Sequence, residues 1–131
     1  MKDCIFCQII ENKLPSKTIY EDDIIKVIMN INPATNGHLL VIPKKHIINI
    51  NDITDDIIIH CTHTIKENIY PLLKEKLNCK GLTLAQNNEL GQEIKHYHIH
   101  LIPRYKNDNA DFNYNKDMIT DIEKIFNDII S

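Results

Sequence analysis

An α+β domain is predicted, with an antiparallel sheet of about five strands carrying one long helix and a closing helix, and three observations predict it. Short apolar runs rich in Ile, Val and Leu recur at 18–20, 24–29, 39–42 and 82–85, each bounded by Gly, Pro, Asn or Asp. A further segment, His96-Tyr97-His98-Ile99-His100-Leu101, alternates strictly, as a strand with two different faces does. Two other stretches, 57–77 and 118–129, instead repeat their apolar residues at helical spacing. With 131 residues, 43% of them hydrophobic, the chain suits a single domain over residues 1–131 with a core of its own.

From the N-terminus, Cys4-Ile5-Phe6-Cys7 opens a short helix that ends by Asn12. Two cysteines three apart can share one metal ion, but a tetrahedral site needs two more ligands. A redox pair or two buried thiols are the rival readings, and neither the strand nor the βαβ unit that a redox pair needs precedes these residues. Leu14-Pro15 breaks the chain, and Thr18-Ile19-Tyr20 begins the sheet. Glu21-Asp22-Asp23 then turns the chain into Ile24–Met29, whose antiparallel partner is Leu39–Ile42. Lys44-Lys45 follows as a basic pair, read either as flanking the site or as a solvated turn.

Thr54 is the expected N-cap of the long helix, with Asp55 and Asp56 in its first turn and an apolar stripe from Ile58 to Leu77. Pro71 should kink or split it, since it lacks an N–H and crowds the carbonyl four residues back. His60 and His63 read as solvent-exposed, because no carboxylate convincingly shares their face. The chain is expected to turn at Gly81 into Leu82–Ala85 and to enter the alternating segment through Gln86–Gln92. Residues 105–115 lack periodicity and read as loop, and Met118, Ile119, Ile122, Ile125, Phe126 and Ile129 space a terminal helix expected to pack on the sheet.

The alternating segment carries the chemistry. On a strand, His96, His98 and His100 share one face about 7 Å apart while Tyr97, Ile99 and Leu101 enter the core. Imidazole loses its proton near neutral pH, so one ring can attack an electrophile such as phosphorus while a neighbour donates a proton. A solvated face or a metal patch of the purification-tag kind would not be internal and interleaved with apolar residues.

His96 through Ile102 resembles the signature of the histidine triad family, three histidines alternating with apolar residues and followed by two more. The flanking Gly91-Gln92 and Ile102-Pro103-Arg104, the Glu21-Asp22-Asp23 turn and Pro33-x-x-x-Gly37-His38 extend the resemblance over almost the whole chain, in the manner of bacterial members. The resemblance implies the family's fold and its chemistry, attack by the middle histidine, His98, on the α-phosphorus of a nucleotide. His100 and Gln92 are then the other catalytic groups. Phe6, Ile9, Ile28, Asn30 and Ile31 would hold the nucleoside, and plain core packing is the rival reading for Phe6 and Ile9. His38 would support the active-site imidazole, against the alternative of a surface turn histidine. Asn87, or Asn88 in its place, would meet the phosphate together with Gln92, His98 and His100.

Zinc-containing relatives further imply a structural zinc on Cys4, Cys7, His46 and His96, with no catalytic cofactor. Glu93, where animal members have serine, is expected to turn outward or pair with a lysine, because a carboxylate facing the site would repel phosphate. The implied activity is hydrolysis of nucleoside phosphoramidates or similar purine nucleotide conjugates. Diadenosine polyphosphate hydrolysis and a non-enzymatic nucleotide-binding adaptor are the alternatives. A homodimer is implied as well. A net charge of −3 argues against a partner as polyanionic as nucleic acid, and without a membrane span or N-terminal signal the expected home is the cytoplasm.

Overall fold

The apolar runs pair into one antiparallel sheet of order β1-β2-β3-β5-β4 in the computed structural model, which describes residues 3–131. Its strands are β1 (Thr18–Glu21), β2 (Ile25–Met29), β3 (Leu39–Pro43), β4 (Gly81–Ala85) and β5 (Ile99–Arg104). Strands β2 and β3 are apolar on both sides except at Lys26, because both sides are covered. On one face Ile25, Val27, Leu39, Val41, Ile99 and Leu101 pack with Tyr97 and with Cys61, Ile65, Ile69 and Leu73 of the long helical segment. On the other, Ile28, Leu40 and Ile42 pack with Cys4, Phe6, Cys7 and Ile9 of the helix α1 (Ile5–Ile10).

Alternation therefore decides which residues reach α1. Lys26 lies on that face and is buried, and it donates from Nζ to the carbonyl of Ile9 (3.3 Å) beside Glu21 (3.8 Å). The Ile9 carbonyl already accepts the Asn12 N–H (3.0 Å), so the Lys26 ammonium is a second donor to it, placed at the C-terminal end of α1 and fixing the helix to the sheet.

The long helix runs without a break from Asp55 to Leu77, but its winding changes just ahead of Pro71. Helix α2 (Asp55–Thr64) passes through a wide π turn (Ile65–Ile69) into α3 (Tyr70–Leu77). Pro71 sits in the first turn of α3, where its missing N–H costs nothing, and the Tyr70 N–H reaches back to Ile65. Thr54 takes the N-cap position, but its hydroxyl donates to Asp56 and makes no cap bond. The helix stops at Asn78, which adopts the left-handed conformation (φ 56°), and Gly81 already belongs to β4. His60 is not a free surface ring: it lies 2.7 Å from Asp22, which also accepts from the backbone N–H groups of Ile24 and Ile25. That carboxylate, with its pKa lowered to about 2 against burial by those backbone donors and His60, pins the β1–β2 turn to α2.

Helix α4 (Ile122–Ile130) forms where the periodicity places it, preceded by a short 3-10 turn (Lys116–Met118). It does not pack on the sheet, and its apolar residues Ile122, Ile125, Phe126 and Ile129 remain exposed. Among the described residues no helix is long and apolar enough to cross a membrane.

Candidate active site

The β3–β5 pairing sets His100 opposite Leu40, on the face that carries α1. Regular strand structure begins only at Ile99, so His96 and His98 precede it, contrary to a strand spanning all three. The alternation holds nevertheless, because Tyr97 and Ile99 enter the core and pull the intervening rings to the opposite side. His98 and His100 have ring centroids 5.0 Å apart. Phe6 meets His98 edge-on at 5.0 Å and His96 at 5.9 Å, so it packs the core and walls the site at once.

Phe6, His98 and His100 border a cavity of about 480 Å³. Across the sheet it runs from Phe6, Ile9, Ile28, Asn30 and Ile31 past His38, His98 and His100 to Asn87, Gly91 and Glu93 on the β4–β5 loop. Asn87 is thus the loop asparagine at the cavity. Asn88 exchanges side-chain bonds with Gln86 and accepts from the Ile50 N–H, which holds the loop together.

Hydrogen bonds fix the state of each ring. A carbonyl can only accept, so His98 donates from Nδ1 to the His96 carbonyl (2.7 Å), which leaves the lone pair on Nε2. His38 accepts the Ala34 N–H on Nδ1 (3.0 Å), so its Nε2 carries the proton and donates to Nδ1 of His100 (3.0 Å). By this chain His100 keeps its own proton on Nε2. Burial lowers the pKa of His38 and of His98, the latter against the opposing pull of the His96 carbonyl and Glu93. It pushes His100 down to about 4, helped by neighbouring His98 and His38. At neutral pH the rings are uncharged, one exposing a lone pair and another an N–H.

His38 is buried, so it is no surface turn histidine. Asn30 lies 3.3 Å from its Nε2 and accepts the Asn32 N–H on Oδ1. Gln92 departs from the expectation. It is buried away from the cavity, donating to the Ile48 carbonyl (2.5 Å) and accepting the Glu89 N–H, so it secures the loop to the segment before α2. Lys44 pairs with Glu21 (2.7 Å), and neither Lys44 nor Lys45 borders the cavity. Glu93 is exposed, as the outward-turned reading expects, and makes no ion pair among the described residues; it still lines the cavity, and Lys95 gives its ammonium to the carbonyls of Glu89 and Gln92. Alternation could have flagged Lys26, whereas the irregular backbone around Glu93 gives its direction no local signal.

Cys4, Cys7, His46 and His96 come together, with one donor atom of each within 4.8 Å of the others. Cys4 Sγ is 3.2 Å from His96 Nδ1, and Cys7 Sγ is 3.2 Å from His46 Nδ1 and 3.6 Å from His96 Nδ1. A tetrahedral zinc with ordinary Zn–S and Zn–N bonds has ligand separations of roughly 3.3–3.8 Å, so these donor atoms need move by only a few tenths of an ångström to take one. His96 Nε2 donates to the Pro43 carbonyl (2.7 Å), which turns the Nδ1 lone pair toward the thiols. Burial holds this ring neutral, its pKa at about 4. The four side chains could therefore hold a metal ion.

His100 at the start of β5, with His98 just before it and His38 just before β3, faces a cavity of about 480 Å³ beside the Cys4, Cys7, His46 and His96 cluster, the arrangement of a histidine triad protein. The chain belongs to the HIT family: residues 11–107 match the HIT domain. A HIT-like protein of Methanocaldococcus jannaschii is 34% identical over 128 residues, 96% of this chain and 98% of its own. The adenosine 5′-monophosphoramidase of Saccharomyces cerevisiae is 33% identical over 103 residues, 77% of this chain and 62% of its own. A zinc-bound histidine triad family protein of Mycobacterium smegmatis superposes with a TM-score of 0.78 at 31% identity, covering 87% of this chain and 84% of its own.

Proposed function

We propose that the chain is a nucleotide hydrolase that cleaves nucleoside phosphoramidates, or similar purine nucleotide conjugates, at the α-phosphorus through a nucleotidyl-His98 intermediate. One observation carries the reading: the ring that lines the cavity has its Nδ1 proton committed to the His96 carbonyl, which leaves Nε2 as the nucleophile. The amidase activity named for the yeast relative is consistent with it.

In the first step His98 Nε2 bonds to phosphorus and the bond to the leaving amine breaks as that nitrogen takes a proton from solvent water. Water then attacks phosphorus, the P–Nε2 bond breaks, and the nucleoside monophosphate departs. His100 Nε2–H, held in its tautomer by His38, donates to the phosphoryl oxygens where charge develops. Phe6, Ile9, Ile28 and Ile31 receive the base, Asn30 the ribose hydroxyls, and Asn87 the phosphate. Gln92 acts at one remove, by holding the loop that carries Asn87 and Gly91.

Zinc on Cys4, Cys7, His46 and His96 is part of this reading, as a structural ion tying the N-terminus to the triad segment. So is a homodimer, which would shield the edge strand β4 and its half-exposed Leu84. So is a reducing cytoplasmic location, which suits four free cysteines.

Side-by-side steady-state kinetics on adenosine 5′-phosphoramidate and diadenosine tetraphosphate test the activity. Higher kcat/KM on the phosphoramidate is expected. The reverse order would assign the site to dinucleoside polyphosphates, and tight nucleotide binding without turnover of either would make the chain an adaptor.

A further inference from the structure

Glu93 stands where a nucleotide site least needs a negative charge. Glu93 is exposed at the rim of the cavity that His98 and His100 line, with its charge close enough to act on the His98 ring, and no other acidic residue, lysine or arginine lines that cavity among the described residues. None of the ion pairs among the described residues involves it, and the adjacent Lys95 is engaged with the Gln92 carbonyl at 2.7 Å and the Glu89 carbonyl at 3.3 Å. The carboxylate is therefore left to interact with whatever the cavity receives.

The order of the sheet says which part of a substrate it meets. The apolar wall and Asn30 come from α1 and the end of β2, whereas Asn87, Gly91 and Glu93 come from the β4–β5 loop, which joins the two strands on the far side of β3 from β2. A nucleoside on the apolar wall puts its phosphorus at His98 and directs the leaving group toward Glu93. Room continues there, because Ile5, Glu93 and Ile94 also wall a neighbouring depression of about 560 Å³ reached by Asp3, His46, Ile48 and Lys95.

We propose that Glu93 is a specificity-determining residue that sorts leaving groups by charge, accepting those that carry a cationic arm and disfavouring those that carry an anionic one. The inference rests on the hydrolase reading above. Every substrate shares the same α-phosphate, so repulsion there cancels between substrates, and discrimination comes from charge on the departing group alone. One unpaired carboxylate near an opposite or like charge in partly solvated surroundings is enough for a preference of roughly tenfold at low salt.

The test is a matched pair of adenosine 5′-phosphoramidates, one of 1,3-diaminopropane and one of β-alanine, which differ at the end of the arm in the sign of the charge. Wild-type protein is expected to prefer the diaminopropane conjugate in kcat/KM, and the preference should shrink as salt shortens the screening length. In Glu93→Gln the ratio should fall to within about twofold and lose its salt dependence, and in Glu93→Lys it should invert. Wild-type hydrolysis of both conjugates with no preference, or a ratio that Glu93→Gln leaves unchanged, overturns the charge filter and leaves the hydrolase reading standing. Hydrolysis of neither conjugate, nor of the unsubstituted phosphoramidate, overturns both.

Discussion

The Nδ1–H of His98 donates to the carbonyl of His96 at 2.7 Å, and His96 is also a member of the Cys4, Cys7, His46 cluster. A side chain that could be held by metal therefore positions the main-chain group that sets the tautomer of the proposed nucleophile. Fixing a metal ligand's ring and backbone is what a structural ion does, and here the benefit extends two residues along the chain.

Removing the metal should loosen that arrangement. Cys7→Ser, or treatment of the wild type with a strong chelator, is expected to remove bound zinc measured by elemental analysis and to lower Tm by roughly 10 °C. Zinc-free wild-type protein with an unchanged Tm would dissociate the cluster from stability.

Acid should destabilise the fold through His100. Its pKa is about 4 in the folded protein against an ordinary 6.5, so the unfolded chain takes up the proton first as pH falls. The neutral ring costs nothing above about pH 6.5, and stability is lost as pH drops from there toward 4. In His100→Asn, denaturant titrations between pH 7.5 and 4.5 should show a loss smaller than that of the wild type by on the order of 1–2 kcal/mol, allowing for solvent screening at a partly exposed ring. Parallel curves would contradict the assignment.

His38 should matter for turnover more than for binding. Bonded at Nδ1 by the Ala34 N–H and at Nε2 to His100, it fixes where His100 carries its proton. His38→Phe is expected to lower kcat on the order of 10–100-fold with KM changed by less than about threefold, read by steady-state kinetics. A change confined to KM would make His38 a binding residue.

Gly37 delivers His38 to that position. It has φ +87°, a conformation that side chains resist, and a Cβ there would overlap Leu77 Cδ1 and press Pro103 Cγ at 3.3 Å. Gly37→Ala should cost about 2 kcal/mol in chemical denaturation. A loss below about 0.5 kcal/mol would mean the turn relaxes freely.

Much of this was legible before the structure because it depends on local pattern. Two-residue alternation forces His98 and His100 onto the face opposite Tyr97 and Leu101 whether or not the backbone pairs as a strand, so the site survived the late start of β5. Pro71 announced an irregularity in the helix for a steric reason, and the π turn just before it is that irregularity. What stayed hidden depends on contacts distant in sequence. His60 looked solvated because its partner, Asp22, is 38 residues away. Gln92 matched a motif yet turned inward, since Ile48 offers it a carbonyl from another segment. Helix α4 has the periodicity of a packed helix, and periodicity does not say what a face packs against.

The central claim is a covalent bond between His98 and phosphorus. Wild-type protein should be mixed with adenosine 5′-phosphoramidate, quenched with denaturant within the first turnovers, and its intact mass and peptide masses measured. The account predicts one adenylyl group on the peptide containing His98, no adduct in His98→Ala, and hydrolysis in that variant reduced by several orders of magnitude. An active wild-type protein that yields no adduct, together with His98→Ala turning over near the wild-type rate, would contradict it.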